Sequence, residues 1–121
     1  MQLEPDTLVK KVGETIKGIS ESLYPHMDIT GEGNKIRIYL DVPGFEKENI
    51  NITAMKYGIK VTGKRDKKLE GQVIYEERVT KFSKYIRIMR EFDSDSIEAK
   101  LENGVLKIIL TLKNVKTVKI D

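Results

Sequence analysis

The 121-residue sequence has no cysteine, no tryptophan, one histidine and only 7% aromatic residues. Without cysteine there can be no disulfide, no thiolate nucleophile and no zinc–thiolate site. A single histidine rules out a multi-histidine metal centre. A Ser-His-Asp arrangement would have to run through His26, which follows Pro25 in a connecting segment rather than on a rigid element. His26 therefore reads as a surface or structural residue, and no catalytic, metal-binding or cofactor-binding residue is assigned. Long apolar runs are also missing: none approaches the roughly 20 residues of a membrane-spanning helix. Charges recur through the first 21 residues, which breaks any signal-peptide pattern. The expectation is a cytoplasmic protein with no integral membrane segment and no enzymatic activity.

What is present is charge. Charged residues make up 34% of the chain and hydrophobic ones 39%, a balance that suits one globular domain with short extensions. The net charge is +3, from 22 basic and 19 acidic residues. The signs alternate closely, as in Glu46, Lys47 and Glu48 or Lys67, Lys68 and Glu70. Nucleic-acid binders usually gather their basic residues beside stacking aromatics. Along this chain only Lys56, Tyr57 and Lys60 hint at such a patch, and a solvated lysine face is the simpler reading. Nucleic acid is not an expected partner. The Lys/Glu-rich, Cys-free composition would suit a thermophile.

Residues 1–25 read as an amphipathic arm. Leu8, Val9, Val12, Ile16, Ile19 and Leu23 recur at spacings of three and four, with Lys10, Lys11, Glu14, Lys17 and Glu21 between them. That predicts a helix from near Asp6 or Thr7 to a stop at Pro25. Gly13 and Gly18 each cost about 1 kcal/mol against alanine. Such a helix is marginal alone in water and calls for a partner surface, either its own domain or another chain.

From Met27 the period shortens to two. Ile36, Ile38, Leu40 and Val42 alternate with polar residues, and Pro43-Gly44 ends the run with turn chemistry. Ile50, Ile52 and Ala54 follow, then Ile59 and Val61; later come Phe82, Ile86 and Ile88, then Ile97, Ala99 and Leu101. Asn103-Gly104 is a strong hairpin signal before Leu106, Ile108, Leu110 and Leu112. Val73, Ile74 and Tyr75 form an apolar island inside a charged connection. Seven or eight short strands with no helix between them predict an all-β, immunoglobulin-like antiparallel β-sandwich over residues 26–112. Residues 113–121 form an extended lysine-rich tail, in which Val118 and Ile120 share one face of an extended segment.

Gly58 to Lys64 fits the spacing of a phosphate-binding loop, but Arg65 stands where Ser or Thr should hold magnesium. Ile59 and Val61 make the segment a strand, which removes the helix N-terminus that the chemistry requires. No nucleotide site is expected.

Ala99-Lys100-Leu101-Glu102-Asn103-Gly104-Val105-Leu106 resembles the A-x-x-x-N-G-V-L signature of the small heat-shock proteins, the α-crystallin family. Asp41 to Phe45 resembles that family's strand-ending turn, Phe82 to Met89 its F-x-R-x-F-R-L-P run, and Val118-Lys119-Ile120 its I/V-x-I/V tail motif. The four motifs are in the family's order over residues 27–121, in a chain resembling the prokaryotic or archaeal type. Lys84 stands where an arginine is common and Met89 where a proline is, so the strand is expected to run on past its usual stop.

The resemblance implies an ATP-independent holdase that binds partly unfolded client proteins in the stress response and needs no cofactor. It implies a homo-oligomer of swapped dimers, a large assembly of which a 24-mer is one form. Val73, Ile74 and Tyr75 would cross to a neighbour's sheet, and Arg87 would pair with acidic groups at the dimer interface. The tail residues Val118 and Ile120 would dock in an apolar groove. Ile50, Ile52, Ile97 and Leu101 are assigned to its lining from their alternation, with Ile109 a further contact. The arm residues Leu8, Val9, Val12, Ile16, Ile19 and Leu23 would meet clients. The competing reading is a monomeric co-chaperone or adaptor resembling CS domains, with the same sandwich but no docking tail or swapped loop.

Overall fold

The computed structural model describes residues 23–113 and 120–121. The predicted arm helix lies outside them except for its last residues, as does Val118 of the tail.

Among the described residues seven strands form: β1 (Met27–Glu32), β2 (Lys35–Asp41), β3 (Ile50–Met55), β4 (Gly58–Lys64), β5 (Lys81–Arg87), β6 (Glu98–Glu102) and β7 (Val105–Thr111). They make a four-stranded sheet, ordered β1-β2-β7-β6, and a three-stranded sheet, ordered β3-β4-β5. All the pairings are antiparallel. The alternation read from the sequence is the reason for the sandwich. Ile38, Leu40, Leu106, Ile108 and Leu110 of the larger sheet, and Ile59, Val61, Phe82 and Ile86 of the smaller, form one buried cluster. Their polar neighbours point away from it.

The turns follow residue chemistry. Asn103 and Gly104 both adopt positive φ, 52° and 76°, which a two-residue primed hairpin requires at both central positions. The β1–β2 hairpin turns through Gly33-Asn34, with Gly33 at φ 60°. Met89 corrects one expectation. The strand does not run on: β5 ends at Arg87, and Met89 enters the left-handed region at φ 63°. The amides of Ile88 and Met89 both donate to the Tyr57 carbonyl, at 2.8 and 3.2 Å, and this shared acceptor turns the chain where a proline was expected. Val73–Tyr75, expected to pair with a neighbour's sheet, lie in no strand of this chain.

Aromatic packing closes one end of the core. Phe45 meets Phe82 edge-on at 5.1 Å between centroids, and Tyr24 lies 5.9 and 5.6 Å from the two rings. Burial holds the Tyr24 phenol above its usual range; Arg65 opposes that shift and Asp41 adds to it. Gly63 sits opposite Phe82 across the β4–β5 pairing, and a Cβ there would overlap the ring carbons Cε1 and Cζ. Gly63→Ala should therefore lower stability by about 1–3 kcal/mol, the usual cost of overpacking. The midpoint of chemical unfolding measures this, and an unchanged midpoint would show that the ring has room to move.

Candidate functional site

The 65–80 connection is tied at its base. The Arg65 amide donates to the Thr80 carbonyl (2.8 Å). Its Nε donates to the Val79 carbonyl (2.8 Å) and its Nη1 to the Pro43 carbonyl (3.4 Å). The guanidinium lies 5.0 Å from the Phe45 ring centroid, a cation–π distance. Gly44, at φ 85°, makes this possible, because a Cβ there would collide with Arg65 Nη1. Above this knot Lys67 Nζ donates to the Arg78 carbonyl (2.8 Å) and pairs with Glu76 Oε1 (2.7 Å), with only 5% of the lysine side chain exposed. The two legs of the loop are thus zipped together by side chains.

The tip of the loop is left bare. Ile74 is 79% exposed, and Val73 and Tyr75 are about half exposed. The Tyr75 hydroxyl donates to Glu77 Oε2 at 3.3 Å. Its pKa is raised by desolvation and then by the Glu77 carboxylate. Three consecutive large side chains face water on a braced stem, an exposed apolar patch of the kind that marks interaction sites.

A second apolar surface lies at the sandwich edge. Lys84, on the inward face of β5, donates to the Pro25 carbonyl just before β1 at 2.9 Å. That contact sets β5 over the β1 side of the larger sheet, so the sheet orders leave β3 and β6 together on the opposite side. Ile50 and Ile52 of β3, Leu101 of β6 and Ile97 just before β6 are each half-buried against the core. Among the described residues β3 and β6 also leave one backbone edge each unpaired, so strand addition is open at the same place. Ile109 is half-buried on the outward face of β7, opposite Glu98.

β1 is the other exposed edge of the larger sheet. Ile29 faces the core side, opposite Ile38, yet is 44% exposed because the smaller sheet stops at β5. Arg87 is exposed on the outward face of β5, opposite Gly58, with no ion pair among the described residues. Ile120 is 92% exposed, and Leu23, the arm residue within the described segment, is also exposed. Leu8, Val9, Val12, Ile16 and Ile19 lie outside the described residues.

The Arg65 knot and the Lys67–Glu76 clip were not anticipated, since each joins residues whose proximity exists only after folding. The exposed core-side Ile29 was missed as well. His26 is exposed before β1 and offers its carbonyl to the Asp41 amide (3.1 Å). Among the described residues no group of three or more His, Asp or Glu converges as a metal-ligand set. No helix among them is long and apolar enough to cross a membrane.

A seven-stranded sandwich of this order, with a long braced loop between β4 and β5, defines an α-crystallin-type domain. The Hsp20/alpha crystallin family model matches residues 28–121, and the chain belongs to that family. A probable 15 kDa heat shock protein of Leptospira interrogans is 28% identical over 110 residues, covering 89% of this chain and 85% of that protein. A 22.0 kDa heat shock protein of Arabidopsis thaliana is 36% identical over 95 residues, covering 74% of this chain. The match spans about half of that plant protein, 48% of its length. Among solved structures, a point mutant of hsp14.1 from Sulfolobus solfatataricus P2 superposes with a TM-score of 0.76 over 99% of both chains, at 23% identity. The Del-C4 mutant of the same protein gives 0.74 at 27% identity, covering 80% of this chain and 82% of that one. Membership of this family supports a chaperone role rather than an enzymatic one.

Proposed function

We propose that this chain is an ATP-independent holdase, working in the cytoplasm as a large assembly built from dimers. One observation carries the reading: the chain folds a complete core yet leaves Val73, Ile74 and Tyr75 outside it on a braced loop. A protein that must recognise many unfolded chains needs available apolar surface and no chemistry, and binding the unfolded form lowers its free concentration.

In this reading the loop tip of one chain adds to the free edge of β1 in its partner, and Ile29 supplies apolar surface there. Arg87 then meets a carboxylate of the second chain. Val118 and Ile120 dock between β3 and β6, on Ile50, Ile52, Ile97 and Leu101, with Ile109 as an outlying contact. The arm, residues 1–25, carries Leu8, Val9, Val12, Ile16, Ile19 and Leu23 to clients. Residues 26–112 form the domain and 113–121 the linking tail.

Deleting residues 1–22, which keeps Tyr24 on Phe45 and Phe82 and the Pro25 carbonyl on Lys84, should abolish protection of a heated client enzyme while the sandwich stays folded. Turbidity of the client with the full-length and truncated chains measures this; retained protection would move the client site onto the sandwich. Size-exclusion chromatography of the full chain separates this proposal from the monomeric CS-like adaptor, because an adaptor elutes as a monomer.

A further inference from the structure

The two sheets differ sharply in charge. The strands of the larger sheet hold Asp28, Glu32, Asp41, Glu98 and Glu102 against Lys35, Arg37, Lys100 and Lys107. The strands of the smaller sheet contain no carboxylate at all, but they hold Lys60, Lys64, Lys81, Lys84 and Arg87. Of these five, only Lys84 turns inward, to the Pro25 carbonyl. Lys60, Lys64, Lys81 and Arg87 alternate with buried residues, so all four stand exposed on the outer face. Asp66, just past the end of β4, is the nearest carboxylate in the continuation of that strand.

The register makes the concentration costly to the free chain. Lys64 lies directly opposite Lys81, an arrangement that destabilises a sheet. Lys60 lies opposite Tyr85, which is 47% exposed and whose hydroxyl approaches Gly58. Asn51, Thr53, Thr62 and Ser83 add neutral hydrogen-bonding groups to the face, and Met55, 42% exposed, stands opposite Gly58 at its end. At the β3–β4 turn Lys56 sits 5.3 Å from the centroid of the exposed Tyr57 ring. From Lys64 to Lys60 is about 13 Å along the strand, at roughly 3.3 Å per residue.

We propose that the outer face of β3-β4-β5 binds single-stranded nucleic acid, with Lys60, Lys64 and Lys81 on phosphates and Tyr85 as a stacking platform. Charge complementarity selects a polyanion. A flat face bearing an exposed tyrosine beside its cations selects one with unpaired bases, since every base offers a π-face. Apart from Arg87, none of the residues assigned to assembly lies on this face, so the binding does not rest on the chaperone reading. The arm is a poor alternative occupant, because its four carboxylates are nearly balanced by three lysines. Arg87 shares the face but is left out of the test because the dimer interface also claims it.

The probe is a fluorescein-labelled 15-nucleotide oligo(dT), titrated with the full chain and read by anisotropy at several salt concentrations. Binding should weaken with salt at a log–log slope of about −2, as three phosphate contacts on a single strand require. Lys60→Gln, Lys64→Gln and Lys81→Gln together should abolish that slope, with particle size and client protection unchanged. Tyr85→Ala should weaken binding about tenfold without changing the slope, as loss of one stacked base does. No binding at low salt, equal affinity for a 15-base-pair duplex, or indifference to the triple substitution would each overturn the proposal. So would retention on phosphatidylserine vesicles without oligonucleotide binding, which would assign the face to an anionic membrane surface.

Discussion

Replacing Val118 and Ile120 together by alanine should reduce the assembly to dimers. Ile120 is 92% exposed in the single chain, so nothing within this chain's described residues would miss its side chain. The expected effect comes entirely from the link to another subunit. Removing two methylene equivalents from valine and three from isoleucine forfeits about 4 kcal/mol at roughly 0.8 kcal/mol each. That is close to a thousandfold in the affinity of one tail link, at about 1.4 kcal/mol per tenfold. Ordering the tail costs about 1–2 kcal/mol per residue, so in the proposed assembly a single wild-type link would be weak and would hold only through its repetition. The loss should therefore be cooperative. Static light scattering should show a mass near two chains, with the folding transition unchanged; an undiminished large particle would contradict the tail's role.

Val73→Asp combined with Ile74→Asp should go one step further and yield monomers. Both residues are exposed in the isolated chain, and the stem below them is held by Arg65 and Lys67. Unfolding of a single chain should be nearly indifferent to the change. In a swapped dimer the same positions lie against a partner's strand, where burying two unpaired carboxylates is prohibitive. Analytical ultracentrifugation should therefore report a monomer with unaltered circular dichroism. A dimer that persists would place the interface elsewhere, with the β3–β6 edge as the next candidate. Loss of fold along with association would mean that the loop tip packs within its own chain.

The difference between these two variants also explains what could be read from the sequence. The alternating runs were legible because both sheets bury one face, and a period of two then identifies the core side. Asn103-Gly104 was legible because few other residue pairs tolerate two successive left-handed conformations. β1 was not, since Met27, Ile29 and Gly31 are its only core-side residues and one of them has no side chain. Val73–Tyr75 has the composition of a strand but no strand beside it in the same chain, so its pairing cannot be decided within one chain. Met89 shows a further limit. Its left-handed turn depends on the Tyr57 carbonyl reaching two amides, a contact 32 positions away in sequence.

Charge shows the limit most clearly. Along the sequence lysine and glutamate are interleaved, and only Lys56, Tyr57 and Lys60 hint at a basic patch. Folding sorts the charges by face and by sheet: the acidic residues of the strands all go to the larger sheet, so the charged residues in the strands of β3-β4-β5 are all basic. Strand phase and pairing order decide that outcome, and neither is visible to a count of neighbours in sequence. The candidate groove lies between these two cases. Ile50, Ile52, Ile97 and Leu101 were assigned from alternation, and each lies half-buried at an edge that the sheet orders bring to one side.

The most direct test of the holdase account is the mass of the particle before and after heating, with a thermolabile client enzyme present and no nucleotide. Light scattering coupled to size exclusion should show a large homo-oligomer at rest. After heating it should show a soluble, heavier complex that contains both proteins, while the client alone precipitates. A client that precipitates equally with and without the chain would contradict the account, as would protection that appears only on addition of ATP.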